Sequence, residues 1–259
     1  MMIRYKIYRS GEIMKKLLLL LTLGLVMASM LLSSCGSNET TKIRVATDAT
    51  WPPFEYVNDQ KEIVGFDIDL FKAIAEKEGL EIEFVNVGFD PLLAGMAQGT
   101  YDAAISSITI TTDRQKDMLF SDPYYAAGQI IVVRKDNTSI TGINNLSGNV
   151  GAQIGTTGAM EVEKVAAAKL KTYDDVGLAF QDLVNGQIDA VISDNWLALG
   201  YVAKNASTLK TAGNMFTSES YGIAVAKSKT DLLTKINSGL AKVKTEGLIE
   251  TLSKKWIEK

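Results

Sequence analysis

QGTYDAAISS at residues 98–107 recurs in altered form 87 residues later, as NGQIDAVISD at residues 185–194. The two copies share Gly, Asp, Ala, Ile and Ser at matching positions, and each leads from the end of a helical pattern into a short apolar strand. This spacing is too long for a solenoid repeat and suits a small α/β lobe. The repeat therefore predicts two similar lobes, and a chance likeness between two helix-glycine-strand turns is the alternative.

Strands and helices alternate around the first copy. Residues 43–47 and 81–85 have strand-like patterns, and a helical spacing of apolar residues lies between them. We expect Asp67 to cap that helix and Gly79 to end it. Strands that alternate with helices of this length are typical of βαβ units, so we predict an α/β fold with mostly parallel sheets flanked by helices.

The composition excludes several kinds of chemistry. The 259 residues include no histidine and one cysteine, which rules out a Ser-His-Asp triad, a histidine-ligated metal and an intramolecular disulfide. With 27 basic and 30 acidic residues, a broad nucleic-acid-binding surface is not expected. We therefore expect no catalytic residues, no metal and no cofactor.

The N-terminal segment has the pattern of an export signal. Lys15 and Lys16 precede an apolar run at residues 17–32, which is shorter than the roughly 20 residues of a membrane-spanning helix, the alternative interpretation. The run ends at Leu-Ser-Ser-Cys35, which resembles the lipobox of bacterial lipoproteins, in which the cysteine carries the lipid. We therefore predict a lipoprotein signal peptide over 1–34 and a tether over 35–41, with either Met1 or Met14 as the start.

Polar residues follow three predicted strands where those strands end. They are Ser106 and Ser107 at the end of the first copy of the repeat, Asp194 at the end of the second, and the turn at residues 155–158 after the strand that ends at Ile154. Ligands of open α/β sheets bind beyond the carboxyl ends of strands. The turn lacks the lysine of a phosphate-binding loop. We therefore expect a small-molecule site, not a nucleotide site, at these strand ends.

Six segments, in this order, resemble the solute-binding proteins for polar amino acids, which are the bacterial extracellular family 3 receptors of ABC importers. The segments are ATD at 46–48 with PFEY at 53–56, GFDIDL at 65–70, ITIT at 108–111 leading to Arg114, FSDPYY at 120–125, GTTG at 155–158 and YGIA at 221–224. The resemblance covers essentially all of residues 42–259.

The resemblance implies a type II periplasmic-binding-protein fold with two hinge crossovers. Lobe 1 would comprise 42–127 plus 220–259, and lobe 2 would comprise 128–219. It also implies a monomeric receptor, lipid-anchored at the outer face of the bacterial cell membrane or on the periplasmic side, that delivers a free L-amino acid to ABC permease and ATPase subunits.

A free amino acid carries a carboxylate and an ammonium, so its receptor needs a fixed cation and a fixed anion. Arg114 is our candidate for the carboxylate, with Thr109 and backbone N–H groups near Ser107 and Thr157 as further donors. Asp194 is our candidate for the ammonium. Without the resemblance, Arg114 could instead be a solvated residue of a charged helix, and Asp194 could be a helix cap.

The resemblance places Trp51 and Phe89 as aromatic walls around the ligand side chain, although the bare sequence would allow both to be core residues. Asp48 would contact the far end of the ligand, and Ile154 stands where basic-amino-acid relatives carry an aliphatic residue. These residues include one cation, Arg114, and two carboxylates, Asp48 and Asp194. Their net negative charge complements a cationic ligand. We therefore expect arginine first and lysine second, with glutamine or another polar amino acid as the alternative.

Two other classes of function remain. A cyclohexadienyl-dehydratase-like enzyme shares this scaffold. Without histidine, the carboxylates Asp48, Glu55 and Asp194 would have to carry its acid-base chemistry. An export signal also does not fit an intracellular biosynthetic enzyme. A sensory domain would be expected to continue into a signalling module. We therefore expect a binding protein and not an enzyme.

Overall fold

The computed structural model describes residues 42–258. The predicted signal peptide, Cys35 and the tether lie outside the described residues. The strands are β1 (Ile43–Thr47), β2 (Thr50–Trp51), β3 (Glu55–Val57), β4 (Ile63–Val64), β5 (Ile82–Asn86), β6 (Ala103–Ala104), β7 (Met118–Phe120), β8 (Tyr125–Ala127), β9 (Gln129–Arg134), β10 (Gly148–Gln153), β11 (Ala168–Tyr173), β12 (Ala190–Asp194), β13 (Leu209–Ala212), β14 (Glu219–Tyr221) and β15 (Ala224–Ala226).

The helices lie between these strands and after the last of them. They are α1 (Phe66–Glu78), α2 (Phe89–Gln98), α3 (Arg114–Asp117), α4 (Thr157–Glu163), α5 (Val176–Val184), α6 (Asn195–Lys204), α7 (Thr230–Thr245) and α8 (Leu248–Trp256). None of the helices within residues 42–258 is long and apolar enough to cross a bilayer.

Two five-stranded sheets of matching design organise this part of the chain. The first has the order β5-β1-β6-β15-β7 and the second has the order β11-β10-β12-β9-β13. In each sheet the first three strands are parallel, and the fourth strand, β15 or β9, runs antiparallel to both of its neighbours. The two lobes expected from the repeat are confirmed, and in each sheet four of the five strands run in the same direction.

The chain passes between the sheets twice, and the two crossovers lie side by side. β8 leads from the first sheet into the second, β14 leads back, and the two strands pair antiparallel with Ser220 opposite Ala126. The type II fold with two hinge crossovers is thus confirmed. The residue limits predicted for the lobes stay a prediction.

Each lobe has its own apolar core. In the first lobe α1 packs Phe66, Leu70 and Ile74 against a cluster that includes Ile236 of α7. In the second, Phe180 of α5 packs against Val132 and other strand residues. The central strands β9 and β12 of the second sheet are buried along almost their whole length, and their sequences, QIIVVR and AVISD, are largely apolar.

The expectation that Asp67 caps α1 is wrong. The N-cap is Gly65, whose φ of 136° suits glycine, and a Cβ there would overlap the carbonyl of Phe54. Asp67 instead lies in the first turn, fully buried, and its carboxylate accepts hydrogen bonds from the Ser107 N–H at 2.8 Å and the Tyr124 hydroxyl at 2.7 Å. Gly79 does end the helix, in the left-handed conformation.

Candidate ligand-binding site

A small cavity of about 10 Å³ lies between the two lobes, where strands of both sheets end. Its lining comprises Trp51, Phe89, Ser107, Thr109, Arg114, Thr156, Thr157 and Asp194. All but Thr156 are residues that the sequence analysis selects, whereas Asp48, Ser106 and Ile154 do not line this cavity. The structure thus brings seven of the ten candidates together around one space.

Arg114 begins α3 and lies buried at the cavity, so the solvated alternative is wrong. Its Nη1 donates to the Thr109 carbonyl at 2.8 Å and its Nη2 donates to the Gly155 carbonyl of the opposite lobe at 2.9 Å. Its Nε has no partner among the described residues, and the guanidinium lies 5.4 Å from the centroid of the Phe89 ring. Burial lowers the pKa of Arg114 to about 10, so the side chain is still cationic at neutral pH.

Asp194 ends β12 and is also buried. Asp194 occupies the N-cap position of α6, as the helix-cap alternative expects, but its side chain makes no capping hydrogen bond and turns to other partners. Its carboxylate accepts from the Tyr221 hydroxyl at 2.5 Å and from Nε2 of Gln129. Burial, followed by the nearby Glu219 charge, raises the pKa of Asp194 to about 7. A cation beside it would therefore be strongly favoured.

Glu219 is a carboxylate at this site that the sequence analysis misses. Its Oε2 accepts hydrogen bonds from the hydroxyls of Thr109 at 2.7 Å and Thr157 at 2.9 Å, and its Oε1 accepts from Thr217 at 2.9 Å. The sequence indicates only that Glu219 lies near a predicted crossover. It does not indicate which side chains contact that crossover.

The two predicted aromatic walls face each other. The rings of Trp51 and Phe89 are stacked, with centroids 6.5 Å apart and planes at 24°, and both side chains are buried. Trp51 Nε1 donates to Oε1 of Gln153 at 2.5 Å. Gln153, at the end of β10, is a second residue that the sequence analysis misses.

Asp48 lies beside this pair, although it does not line the cavity. Its Oδ2 accepts from Nε2 of Gln153 at 2.7 Å, and its Oδ1 accepts from the Thr50 hydroxyl at 3.0 Å. Burial raises the pKa of Asp48 from its ordinary value, and the Gln153 and Thr50 hydrogen bonds oppose that rise. Ile154 follows Gln153 and is half-exposed. Asp48 is the residue predicted to contact the far end of the ligand. In this state its carboxylate is hydrogen-bonded to Gln153 instead.

Ser106 and Ser107 connect the cavity to two carboxyls behind it. The Ser106 and Ser107 hydroxyls donate to the two oxygens of Glu55, at 3.1 and 3.2 Å. Ser107 has a φ of 49°, and its N–H is bonded to Asp67. In this state the Ser107 N–H itself is therefore not open to a ligand, and the expectation that backbone N–H groups near Ser107 serve the ligand stays a prediction. Burial raises the pKa of Asp67 to about 7 and raises that of Glu55 well above its usual range.

Hydrogen bonds that join the lobes at the cavity include Arg114 to Gly155, Gln153 to both Trp51 and Asp48, and Tyr221 to Asp194. Glu219 of the crossover strand β14 accepts from Thr109 and from Thr157, one on each side. A space of about 10 Å³ holds roughly one water molecule. An amino acid can therefore enter only if the lobes or their side chains move apart. Within residues 42–258, no group of three or more potential metal ligands occurs.

The sequence and the fold both match known proteins. A model of the bacterial extracellular solute-binding proteins, family 3, matches residues 43–259. The ABC transporter arginine-binding protein 1 of Escherichia coli K12 is 34% identical over 238 residues, which cover 90% of this chain and 98% of the relative.

Solved structures agree with this match. A mutant of ArgBP from T. maritima superposes with a TM-score of 0.80 and 42% identity, covering 85% of this chain and 96% of that one. An ancestral arginine-binding protein bound to arginine gives a TM-score of 0.79 and 44% identity, covering 83% and 97%. With its two lobes, paired crossovers and interlobe cavity, this chain belongs to the bacterial extracellular solute-binding proteins of family 3, the amino-acid receptors of ABC importers.

Proposed function

We propose that this receptor captures a cationic L-amino acid, arginine first, and makes no covalent change to it. The observation that carries the proposal is the pair of buried, oppositely charged side chains, Arg114 and Asp194, that line one interlobe cavity. A zwitterion can pair its carboxylate with the first and its ammonium with the second. Because the closed state buries these groups together, ligand binding would favour closure.

The charges around the cavity favour a cationic side chain. After Arg114 and Asp194 are paired with the zwitterion, Asp48 beside the aromatic walls and Glu219 beside the threonines are still present. A cationic side chain between Trp51 and Phe89 would complement Asp48 and gain from the ring faces, by about 0.5 to 2 kcal/mol. The arginine-binding relatives support the same ligand class.

Glutamine is the competing ligand, because an amide could donate a hydrogen bond to Asp48 as Gln153 does. A neutral ligand would leave the buried Asp48 carboxylate without a counter-charge, which is costly. The same argument disfavours acidic ligands more strongly. An enzymatic role would require a proton donor or acceptor poised at a reacting atom, and the buried carboxyls of Glu55 and Asp67 are bonded to Ser106, Ser107 and Tyr124 instead.

We expect arginine, lysine and ornithine to raise the melting temperature more than any other compound in a screen of the 20 amino acids plus ornithine. A ligand present at 100 times its Kd stabilises the folded state by about 2.7 kcal/mol. Agmatine, which lacks the α-carboxylate, is the matched control and should stabilise far less than arginine. A larger shift with glutamine than with arginine would overturn the cationic assignment, and a ligand converted to product, seen by mass spectrometry, would overturn the binding-only role.

We further propose that Cys35 carries a lipid that anchors a monomeric receptor at the outer face of the cell membrane. The support is the Leu-Ser-Ser-Cys order after the apolar run at residues 17–32. Acyl chains contribute about 0.8 kcal/mol per buried methylene, and two or more chains hold a protein durably on a bilayer.

Cys35→Ala should leave the protein unprocessed or released from the membrane fraction, because no thiol remains to carry the lipid. Radiolabelled palmitate incorporation and membrane fractionation measure this, with Ser37→Ala as the matched control that should behave like the parent protein. Continued palmitate labelling of Cys35→Ala would overturn the proposed anchor.

A further inference from the structure

We propose that Glu55 and Asp67 form a buried acid pair that shares a single proton at neutral pH, and that this proton makes the stability of the protein sensitive to alkaline pH. Neither residue lines the interlobe cavity. The inference therefore concerns a proton-binding site inside one lobe, and it does not depend on which ligand the receptor takes.

Both carboxyls lie where an ionised group is costly. Glu55 begins β3, Asp67 lies in the first turn of α1, and neither side chain has any exposed surface. The ion pairs formed within residues 42–258 include neither residue, so no lysine or arginine compensates a negative charge there. Two buried carboxylates at such a site would also repel each other, so ionising both is strongly disfavoured.

Hydrogen bonds from neighbouring residues account for three of the four carboxyl oxygens. The hydroxyls of Ser106 and Ser107 donate to Oε1 and Oε2 of Glu55, at 3.1 and 3.2 Å. The Ser107 N–H and the Tyr124 hydroxyl both donate to Oδ2 of Asp67, at 2.8 and 2.7 Å. The fourth oxygen, Oδ1 of Asp67, is buried and receives no donor from residues 42–258. A buried oxygen left in that state is costly.

A proton on the pair supplies the missing donor. The carboxyl groups of Glu55 and Asp67 lie within hydrogen-bonding reach of each other. A protonated carboxyl donates one hydrogen bond and still accepts others, whereas an ionised one only accepts. Glu55 can therefore donate its proton to Oδ1 of Asp67 while it accepts from both serines. Burial, followed by the Asp67 charge, raises the pKa of Glu55 well above its usual range, which places the proton on Glu55.

The other titratable groups that face the pair are acidic as well. They are Asp48 after β1, Tyr124 before β8 and Tyr221 in β14. The Asp48 charge disfavours ionisation of Glu55 further. Burial raises the pKa of each tyrosine well above its usual value, so both tyrosines stay neutral in the folded protein at moderately alkaline pH. The pair therefore keeps one proton and one negative charge above neutral pH.

The pair supports the turn that forms one wall of the cavity. Ser107 lines the cavity and has a φ of 49°, and the Ser106 hydroxyl accepts the N–H of Asp48 at 2.9 Å. The contacts from Asp48 to Tyr124 are all made before the chain crosses to the second sheet, so they do not require closed lobes. Loss of the proton would place two negative charges side by side behind this turn.

Infrared spectroscopy of the parent protein tests the proton directly. The carbonyl band of a neutral carboxyl should be present above about pH 8, where Asp194, with its pKa of about 7, is ionised. Glu55→Gln should remove that band, because an amide N–H then donates to Asp67 in place of the proton. Glu62→Gln is the matched control, because Glu62 is exposed and bonded to Asn58, and it should retain the band. A parent protein without the band, or an unchanged band in Glu55→Gln, would overturn the inference.

The pH dependence of unfolding gives a second measurement. In the unfolded chain Glu55 ionises near its ordinary pKa of 4.5, whereas the folded protein keeps the proton, so unfolding releases it and stability falls as the pH rises. Between about pH 7.5 and 9, above the pKa of about 7 of Asp67 and below the ordinary range of tyrosine, the unfolding equilibrium constant of the parent should rise about tenfold per pH unit. Glu55→Gln should show a much smaller rise.

Asp67→Asn is the second variant, for the case that Glu55→Gln does not fold. Its amide N–H would donate to Glu55, which could then ionise with every oxygen of the pair satisfied, so the same loss of band and slope is expected. Equal slopes in the parent protein and in either folded variant would assign the proton to another group and overturn the inference. Ligand binding does not enter these measurements, so their outcome is separate from that of the proposed function.

Discussion

Arg114→Ala should weaken amino-acid binding by about 100-fold or more. The substitution removes the cation expected to pair with the ligand carboxylate, and a carboxylate left unpaired in a buried site costs about 2–5 kcal/mol. It also removes the hydrogen bond from Arg114 Nη2 to the Gly155 carbonyl of the opposite lobe. Closure should therefore be disfavoured as well. Titration calorimetry with arginine measures the loss.

Two further variants test whether the loss of affinity is specific to the guanidinium of Arg114. Arg114→Lys keeps the charge but loses the planar fork, so an affinity between those of the parent protein and Arg114→Ala is expected. Arg134→Ala removes an arginine of the second lobe whose recorded ion pair, with Asp136, lies at the surface. Its affinity should match that of the parent protein. A Kd unchanged in Arg114→Ala would exclude this residue from the site.

Asp194→Asn should weaken binding and also remove most of its pH dependence. The pKa of Asp194 is raised to about 7, above its ordinary 3.8, mainly by burial. A ligand ammonium favours the ionised carboxylate, so binding should expel a proton below about pH 7. The parent Kd should therefore tighten by up to tenfold per pH unit from pH 5 toward 7 and level off above. In Asp194→Asn that slope should be absent.

The same pKa gives a prediction for the unliganded protein. Since the folded-state pKa of Asp194 lies above the unfolded value, the folded state binds more protons between about pH 4 and 7, and its stability falls as the pH rises through that window. Asp194→Asn should reduce this fall.

The other charged and titratable groups that face Asp194 are Arg114, Glu219 and Tyr221, so the measurement needs a matched carboxylate elsewhere. Asp113→Asn provides it, because Asp113 is exposed and paired with Lys116. A slope that persists in Asp194→Asn would assign the proton to another group.

The internal repeat was enough to predict two α/β lobes and the ends of two strands, whereas the two crossovers were predicted only from the family resemblance. Each copy runs into a strand whose end delivers a cavity residue, Ser107 in one case and Asp194 in the other. These features could be predicted because strand ends and α/β connections depend on patterns within a short segment of sequence. The likeness to amino-acid receptors then added Trp51, Phe89 and Arg114.

What escaped prediction depends on contacts between distant segments. Gln153, Gln129 and Glu219 have no local pattern that marks them, because each meets its partners only after the lobes fold and approach. Asp67 was misassigned for a similar reason. The positive φ of Gly65 allows the helix to begin earlier, and burial then directs the Asp67 carboxylate to Ser107 instead of to the helix end.

The pairing of β8 with β14 has a mechanical consequence for the whole receptor. Because the two connections are bonded to each other side by side, both hinges lie at one place, and relative motion of the lobes is expected to be mainly a rotation about that place. A permease that docks on both lobes could then read occupancy as the distance between two surfaces far from the pivot, where a small rotation produces its largest displacement.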